Sequence, residues 1–594
     1  MLLHVQITEK SFGSKSLFSH INFSVNDGEK IGIIGRNGIG KTTIFNILSG
    51  KDTDFTGEII QRRGTTAVAT SQEYHDVKNL TTTQYILSGL PDYARLSGII
   101  NNFSEITTPT HKQLTEFSDA LELFSNKDYY HIEDQVREEL KSFQLESHAD
   151  QLFSSLSGGQ KRLSEVIKIM HSNAHIALVD EPTNFMDYVA KNQFIEWMKS
   201  APEAILIITH DRDVLREVDR IIEIKDQTAI NYKGNYEFYL RENTSRTSNA
   251  MTDYELVERR IENLKQKILD YQRLKEKARN PATIQQFKRL ENTSRKELSE
   301  LQKTEKPNFW IDRSSVEQLG YKDTDRYDKY KAKNVKLALK STESKSKKLI
   351  AEATDLSVGY DSPLFKNINF QLREGEALEI RGRNGAGKTT LVRALLSLSD
   401  TDSKRKLLVS ERLETSVTTD VAEMDEATPH DDARVPQNAL SEANGLSSPL
   451  TIFHGESHLD PHVRLGIYHQ EVDTRYFDLL LPDAIDCLHQ DAGIIINDRR
   501  IRQLMSDYLF TDSDRDVLVK NLSGGQKARL QIIAMLANDP TLLILDEPTS
   551  HLDLPSIEEL EQALLRYHGA VLYISHDNYF RHALPAQVLQ IPDR

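Results

Sequence analysis

Hydrophobic and polar positions along the chain first indicate an α/β fold. The opening residues MLLHVQITEKSFG alternate as in a half-buried strand. Two other runs, HIALVD (175–180) and TLLILD (541–546), are continuously apolar and end in an acid. Such runs are typical of buried parallel strands, whose carboxyl ends face a ligand crevice. Strand-like stretches at 32–34 and 378–380 each precede a glycine-rich turn and a helical pattern.

The middle of the chain has a different, helical pattern. From Tyr254, apolar residues recur at spacings of three and four, at Val257, Ile261, Leu264, Ile268 and Tyr271. This heptad seam is interrupted at RNPAT, because proline and the residue before it disfavour a continuing helix. A second helical stretch follows, and its apolar residues face the first one, with a polar gap at Ser294. These apolar residues are Ile284, Phe287, Leu290, Leu298 and Leu301. The pattern predicts an antiparallel helical hairpin about 40 Å long, at 1.5 Å per residue.

Composition excludes several classes of protein. No uninterrupted apolar run reaches the roughly 18 residues that a membrane-spanning helix needs, and the mean hydropathy is −0.50. The one cysteine, Cys487, excludes an internal disulfide and suits a reducing, cytoplasmic location. With a net charge of −15, binding of nucleic acid would require a local basic patch.

The sequence is also internally repeated. GRNGIGKTT ends at Thr43, and GRNGAGKTT ends at Thr390. LSGGQ occurs at 156–160 and again at 522–526, and DEPTNFMD at 180–187 corresponds to DEPTSHLD at 546–553. In both copies, 24 residues separate the LSGGQ serine from the acidic pair, and 29 more lead to a histidine. Equal spacing indicates a duplicated domain, whose halves are called copy one and copy two below.

Unequal spacing locates insertions. Copy one is longer than copy two between Gln72 and the LSGGQ serine, which predicts a helical arm at about 80–145 that contains IEDQVREELKSF. Copy two carries an acidic insert at about 399–460, which we expect to be a flexible loop. The predicted domains are therefore 1–243, a linker at 244–350, and 351–594.

Two glycine-rich loops have the spacing of phosphate-binding loops. G-x-x-x-x-G-K-[ST] lets successive backbone N–H groups surround a phosphate, while the lysine adds charge and the hydroxyl ligates magnesium. Copy one supplies Gly35, Arg36, Asn37, Gly38, Ile39, Gly40, Lys41, Thr42 and Thr43. Copy two supplies Gly382, Arg383, Asn384, Gly385, Ala386, Gly387, Lys388, Thr389 and Thr390.

Paired acids follow the two buried runs. Asp180 and Asp546 lie where a carboxylate can hold the Mg²⁺ shell, together with Thr42 and Thr389. Glu181 and Glu547, one residue further on, can accept a proton from an attacking water.

Taken together, the two phosphate loops, LSGGQ, DEPT and the later histidine resemble the ATP-binding cassette (ABC) superfamily. The resemblance implies ATP and Mg²⁺ as cofactors, adenine stacking by Phe12 and Tyr360, magnesium sensing by Gln72 and Gln470, and switch histidines at His210 and His576. It also implies γ-phosphate contacts from the opposite copy by Ser157, Gly158, Gly159, Gln160, Ser523, Gly524, Gly525 and Gln526. Site one would then join Lys41 and Glu181 to Ser523–Gly525, and site two Lys388 and Glu547 to Ser157–Gly159.

The linker is basic although the chain is acidic. Residues 254–306 hold 14 Lys or Arg against 9 Asp or Glu. Near the tip lie Lys275, Lys277, Arg279, Lys288 and Arg289, which we predict to bind RNA.

Tandem copies joined by such a hairpin resemble the ABC-F family of ribosome-associated ATPases. In that family the linker reaches the ribosomal exit site and touches peptidyl-site tRNA, and the arm contacts ribosomal protein or RNA. The resemblance implies a monomer with intramolecular pairing of its two P-loop ABC ATPase domains, joined by an antiparallel α-helical coiled-coil linker, and no membrane or DNA partner. The stretches 552–580 and NFWIDRSS favour the antibiotic-resistance branch. The alternatives are a translation-regulating factor without a resistance role and the tandem motor of a membrane transporter.

Overall fold

The computed structural model describes residues 1–12, 15–71, 79–103, 109–303, 310, 327, 329–331, 334–335, 337, 348–360, 362–397, 450–469 and 472–592, without the side chains of residues 12, 15, 185 and 397. The chain divides into two compact units. Unit 1 comprises Met1–Asn231 and Lys336–Arg594, and unit 2 is Tyr232–Val335. Residues 398–449, most of the predicted acidic insert, lie outside the described residues.

Copy one is built from ten strands and eight helices within the described residues. The strands are β1 Leu3–Phe12, β2 Lys15–Phe18, β3 Ile21–Val25, β4 Lys30–Gly35, β5 Thr56–Gln61, β6 Ala67–Ala69, β7 Ile176–Asp180, β8 Ala204–Ile208, β9 Arg220–Lys225 and β10 Thr228–Lys233. The helices are α1 Lys41–Leu48, α2 Thr82–Ser88, α3 Tyr93–Phe103, α4 His111–Asn126, α5 Ile132–Ser142, α6 Gly158–Met170, α7 Tyr188–Ser200 and α8 Arg212–Arg216.

Copy two repeats this series after the linker. Its strands are β11 Leu349–Gly359, β12 Pro363–Arg373, β13 Ala377–Arg381, β14 Thr451–Leu459, β15 Leu465–Tyr468, β16 Leu542–Asp546, β17 Ala570–Ile574 and β18 Gln587–Gln590. Its helices are α11 Lys388–Ser397, α12 Leu481–Asp491, α13 Asp498–Asp507, α14 Gly524–Leu536, α15 Leu554–Leu565 and α16 Asn578–Ala583.

The two copies share one sheet topology. The central sheet of copy one has the order β10-β9-β4-β8-β7-β6, and that of copy two the order β15-β16-β17-β13-β18. Strands β4, β6, β7, β8 and β9 therefore correspond to β13, β15, β16, β17 and β18, and these strands pair in parallel within each copy. Each copy adds an antiparallel sheet, around β1 and β11 respectively. The predicted α/β fold class is confirmed.

The apolar runs form the strands that the sequence predicted. All five residues of β7 are buried, as are the first four of β16, and both strands end at the predicted aspartates. Apolar side chains of β4, β7, β8 and β9 pack with α1 into the core of copy one. The carboxyl ends of these strands consequently meet at one edge of the sheet, where the phosphate loop begins.

The arm of copy one is a pair of helices added between two shared ones. Helices α2 and α5 correspond to α12 and α13, which follow each other closely in the fully described range 472–592. The additional helices are α3 and α4, whose Phe103 and Phe117 rings stack at 4.0 Å. The helix predicted from IEDQVREELKSF is α5, which buries Ile132, Val136 and Leu140. Because α5 has a counterpart in copy two, it is not part of the arm, and the additional helices span only 93–126 of the predicted 80–145.

Unit 2 contains the linker hairpin. Helix α9 spans Tyr236–Lys277 and α10 spans Pro281–Leu301. The Asn280 side chain caps α10, and proline occupies its first turn, where a missing N–H costs nothing. Contacts between Arg260 and Glu297 and between Tyr271 and Phe287 show that the helices are antiparallel.

The seam of the hairpin differs from the prediction on its second helix. Leu264 and Ile268 are buried as expected, but Leu290 is 39% exposed. Glu291 and Ser294 are buried in its place. A paired carboxylate can occupy a seam position. The seam of α10 therefore keeps the three–four spacing and runs through Ile284, Phe287, Glu291, Ser294, Leu298 and Leu301.

None of the helices in the described ranges is long and apolar enough to cross a bilayer.

Candidate active site

Each phosphate loop joins a central strand to a helix. The loop of copy one runs from the end of β4 to Lys41 at the start of α1, and that of copy two runs from β13 to Lys388 at the start of α11. Gly40 has φ 101°, and a Cβ there would lie 2.5 Å from Phe18 Cζ. Only glycine fits this conformation and this space. The loop therefore opens directly onto a helix N-terminus, which attracts anions.

Both loop lysines lie inside their loops. Lys41 Nζ donates to Gly35 O at 2.6 Å and Arg36 O at 3.3 Å. Lys388 Nζ donates to Gly382 O at 2.8 Å and Arg383 O at 3.0 Å. Burial lowers the pKa of Lys41. An ammonium held this way is oriented toward the space that the loop encloses, where a phosphate oxygen can compete for its protons.

A hydroxyl and a carboxylate meet beside each loop. Thr42 Oγ1 donates to Asp180 Oδ2 at 2.9 Å, and Thr389 Oγ1 donates to Asp546 Oδ2 at 3.2 Å. Hard oxygen donors of this kind suit Mg²⁺, which normally keeps waters and phosphate oxygens as its other ligands. Within the described ranges, no group of three or more His, Cys, Asp or Glu could hold a metal alone. One hydroxyl and one carboxylate supply part of a Mg²⁺ shell, so each pair fits an ion whose other ligands are phosphate oxygens and waters.

The glutamates that follow the aspartates have an unusual backbone conformation. Glu181 has φ 47° and Glu547 has φ 48°, in the left-handed region that non-glycine residues seldom adopt. Their N–H groups donate to Ile208 O at 2.8 Å and Ile574 O at 3.0 Å. The neighbouring strand thus holds each strained residue at the end of its own strand.

A histidine accompanies each glutamate. His210 Nε2 lies 3.5 Å from Glu181 Oε1, and His576 Nε2 lies 3.4 Å from Glu547 Oε1. The His576 backbone N–H also donates to Glu547 Oε2 at 3.2 Å, and its Nε2 lies 3.4 Å from Lys388 Nζ. The histidine therefore contacts both the glutamate and the loop lysine of copy two.

Burial shifts the titration of both pairs. It raises the pKa of Glu181 and that of Glu547 to about 8. Burial, and secondarily the charges of Lys41 and Lys388, lowers the pKa of His210 and that of His576 to about 3. Each histidine is therefore neutral at physiological pH, whereas each glutamate binds and releases a proton near that pH, as a general base requires.

Two aspartates connect the copies to each other. Asp553 Oδ2 accepts the backbone N–H of Asn37 at 3.2 Å, and Asp187 Oδ2 accepts that of Asn384, also at 3.2 Å. The other carboxylate oxygen of each caps the helix that follows, α15 or α7. Each aspartate thus ties a helix of one copy to the phosphate loop of the other.

The LSGGQ segment of copy two reaches the loop of copy one. A Cβ on Gly525 would lie 2.2 Å from Asn37 Nδ2, and Asn37 Nδ2 donates to His551 O at 2.7 Å. The structure therefore places Gly525 of copy two against the phosphate loop of copy one, whereas contact of Ser523 with Lys41 or Glu181 stays a prediction. Ser157 and Ser523 cap α6 and α14 and accept from Gln160 N and Gln526 N.

At site two, the observed contacts between the copies involve other residues. Arg383 Nε lies 3.3 Å from Asp187 Oδ2. With its amide nitrogen directed at Asn384, Gln144 donates to Asn384 O at 3.1 Å and accepts from Arg383 Nε at 3.1 Å. Contact between Ser157–Gly159 and Lys388 stays a prediction.

The residues predicted to stack on adenine and to sense magnesium are only partly described in the structure. Tyr360 directly follows β11 and is partly buried, whereas the Phe12 side chain, Gln72 and Gln470 are outside the described residues. Sequence reasoning missed the bridging roles of Asp187 and Asp553, although both stand at the same place in the repeated motif.

Comparison with known families agrees with this geometry. The family model described as ABC transporter matches residues 18–184 and 365–550, and a second model with that description matches 222–315. The chain therefore belongs to the ABC family and is an ATPase of its ABC-F group. Its tandem domains bind and hydrolyse ATP.

Named relatives match nearly the whole chain. The Ribosome protection protein VmlR of Bacillus subtilis is 26% identical over 97% of this chain and 84% of its own length. The Energy-dependent translational throttle protein EttA of Mycobacterium tuberculosis is 26% identical over 96% of this chain and 88% of its own.

A solved structure shares the fold. A chain from the complex of archaeal ribosomal stalk protein aP1 and archaeal ribosome recycling factor aABCE1 matches with a TM-score of 0.50 and 15% identity. The match covers 98% of this chain and 86% of that chain. At this identity the match supports the two-domain architecture.

Proposed function

We propose that this protein binds the ribosome when ATP has closed its two copies, directs the α9–α10 hairpin toward the peptidyl-site tRNA, and dissociates after hydrolysis. The proposal includes a cytoplasmic location, where ribosomes lie, and a monomeric chain whose two copies pair with each other. The observation that carries the proposal is a long hairpin with an exposed cationic tip in a chain whose two ATP sites are built across one interface.

In the proposed cycle, the loop residues around Lys41 and Lys388 hold the phosphates of two ATP molecules. Mg²⁺, bound with ATP near Asp180 and Asp546, would neutralise phosphate charge. Glu181 and Glu547 orient the attacking water and accept its proton, while His210 and His576 hold these glutamates in place. LSGGQ of the opposite copy completes each site, so loss of the γ-phosphate weakens the pairing of the copies.

The hairpin tip has the character of an RNA-binding surface. Lys277, Arg279, Lys288 and Arg289 are exposed within the last turn of α9, the connection and the first turns of α10. Lys275 differs, because its Nζ lies 2.7 Å from Glu291 Oε2 and it is only 33% exposed. We therefore assign tip binding to the four exposed cations and give Lys275 a structural role.

The relatives support the same partner. One is named for ribosome protection and another as a translational throttle, and each aligns with almost all of this chain. Their equal identity does not separate a drug-protection role from a translation-regulating one, so that distinction needs an experiment.

Ribosome binding is tested by sedimentation. The double variant Glu181→Gln, Glu547→Gln should pellet with 70S ribosomes in ATP and stay in the supernatant in ADP. Pelleting with membrane vesicles, but not with ribosomes, would instead identify a transporter motor.

The role of the tip is tested in the same assay. Replacing Lys277, Arg279, Lys288 and Arg289 by Ala should weaken binding and reduce its logarithmic salt slope by about 3, at 0.7–0.9 per phosphate contact. The matched control replaces four exposed cations away from the tip, Arg259, Lys265, Lys267 and Lys296. Equal losses in both variants would exclude a specific tip contact.

The drug-protection role is tested in cells. Expression in a drug-sensitive host should raise the inhibitory concentration of one or more peptidyl-transferase inhibitors, and the double glutamate variant should not. An unchanged inhibitory concentration, together with ATP-dependent ribosome binding, would identify the translation-regulating alternative.

A further inference from the structure

Lys191, on α7 of copy one, reaches across the interface to the switch loop of copy two. Its Nζ lies 3.3 Å from His576 O, the backbone carbonyl of the switch histidine. The side chain is 3% exposed. It therefore lies inside the interface, where an ammonium has little solvent to replace a lost partner.

Two carboxylates of copy one fix the position of the ammonium. Lys191 Nζ lies 2.7 Å from Asp213 Oδ2 and 3.2 Å from Asp211 Oδ2. Asp213 Oδ2 also accepts from Asn578 Nδ2 of copy two at 2.7 Å. The lysine is thus oriented by its own copy, and its third contact is with the neighbouring copy.

This contact acts on a residue whose backbone already holds the base of copy two. The His576 N–H donates to Glu547 Oε2 at 3.2 Å, while the His576 carbonyl accepts from Lys191. Lys191 therefore constrains the loop that sets the position of Glu547 and of the His576 ring.

The lysine has no counterpart at the equivalent position of copy two, where Glu558 and Glu561 of α15 instead pair with Arg212 beside the switch loop of copy one. Lys191 lies four residues after Asp187, and the residue four after Asp553 is Ile557. Lys191 and Ile557 line the same cavity between the copies, together with His210, His576, Glu181 and Glu547. An isoleucine cannot donate a hydrogen bond, so the loop of His210 receives no matching contact from that position.

We propose that Lys191 is a positioning residue for hydrolysis at site two, through which α7 of copy one holds the switch loop of copy two. The inference rests on the proposed roles of His576 and Glu547. It predicts that loss of Lys191 slows turnover of the nucleotide bound to copy two and spares the one bound to copy one.

The test compares Lys191→Met with Lys191→Arg and with Lys199→Met in the full-length protein. Lys199 lies on the same helix and is 46% exposed, so its variant controls for loss of a lysine from α7. Each protein turns over 8-azido-ATP, is irradiated, and is digested, and mass spectrometry gives the diphosphate fraction on labelled peptides of each copy. Steady-state kcat and KM are measured in parallel.

Lys191→Met should lower the diphosphate fraction on copy two about 10-fold, the effect of losing a hydrogen bond to a charged group. The fraction on copy one should not change, and kcat should fall at constant KM. Lys191→Arg should restore most of the loss, and Lys199→Met should match the parent.

An equal fall on both copies, no fall on copy two, or failure of the arginine variant to restore turnover would overturn the inference. Failure of the roles proposed for Glu547 and His576 gives a different result. In that case Glu547→Gln would leave the diphosphate fraction on copy two at the level of the parent.

Discussion

Asp553 and Asn37 lie on different copies of the domain, and Asp553 Oδ2 accepts the Asn37 backbone N–H at 3.2 Å. Asp553 Oδ1 meanwhile accepts from Ser556 N at 3.1 Å at the start of α15. One carboxylate therefore sets the geometry of a phosphate loop and of a helix in the opposite copy. Any change in the spacing of the copies alters the loop that holds the nucleotide.

The first prediction concerns this bridge. In Asp553→Asn, one carboxylate oxygen becomes an NH₂ group, so either orientation of the amide leaves Asn37 N–H or Ser556 N without an acceptor. The loss of about 1–2 kcal/mol should lower ATPase kcat/KM roughly 5- to 30-fold. Steady-state ATPase assays measure the effect, and the melting temperature controls for global unfolding. A kcat/KM equal to that of the parent would contradict the assigned bridge.

The second prediction is that the two sites turn over unequally. The residues before the bridging aspartate differ between the copies, NFMD at 184–187 in copy one and SHLD at 550–553 in copy two. Because these residues lie beside the two glutamates, closure of the interface should not orient both glutamates equally. Glu181→Gln and Glu547→Gln, assayed separately, should therefore reduce kcat by different factors.

The control for this comparison is nucleotide binding. Both variants should bind a fluorescent ATP analogue with the affinity of the parent, because neither glutamate belongs to a phosphate loop. Indistinguishable residual rates in the two variants would show that the sites are equivalent.

The third prediction follows from the raised glutamate pKa values. Glu181 and Glu547 titrate near an ordinary pKa of 4.5 when unfolded and near 8 when folded. Between these values the folded state binds more protons, so stability falls as pH rises through about 8. The buried histidines do not contribute above pH 7, because their pKa values are about 3 when folded and 6.5 when unfolded.

Melting temperatures of the nucleotide-free protein test this sign. From pH 7 to 8.5 the parent should lose stability relative to the Glu181→Gln, Glu547→Gln double variant, which cannot titrate at these positions. Parallel curves for the two proteins would exclude the shifted glutamates as the cause.

The sequence predicted the elements that depend on local pattern. The strands ending at Asp180 and Asp546 are confirmed, since a continuous apolar run suits only a buried strand of that length. The phosphate loops are also where the glycine spacing places them. The common order of the central strands agrees with the duplicated domain that the repeated motifs indicate.

Contacts between the two copies could not be predicted from local sequence pattern. Asn37 and Asp553 are 516 residues apart, and neither has a local partner that reveals the other. The contact of Lys191 with copy two could not be predicted either, because its acceptor is a backbone carbonyl and no pattern of side chains identifies such an acceptor. The one available signal was the difference between Lys191 and Ile557 at equivalent positions of the repeat.

The α10 seam shows a different limit. An apolar-residue criterion selected Leu290 rather than Glu291, because it assigns charged residues to the surface. Glu291 is only 7% exposed, and its carboxylate contacts Lys275, Arg295 and Gln272. A paired charge at a seam position fixes which residues face each other, as polar seam residues do in other coiled coils.

The last prediction tests whether Glu291 fixes the hairpin register. Hydrogen bonds, first from Lys275 and then from Arg295 and Gln272, lower the pKa of Glu291 to about 2, so its charge persists at every pH where the protein is assayed. In Glu291→Leu the three donors lose their common acceptor, although an apolar seam residue is gained. We expect the tip to move more freely, so amide hydrogen exchange should become faster across 272–290. No segment of unit 2 should exchange more slowly than in the parent. The control is Glu300→Leu, an exposed position on the same helix that should leave exchange at the tip unchanged. Slower amide exchange at the tip of Glu291→Leu would contradict this prediction. It would show that hydrophobic packing, and not the contacts of Glu291 with Lys275, Arg295 and Gln272, determines the register. Lys275 would then be available to bind RNA with the four exposed cations of the tip.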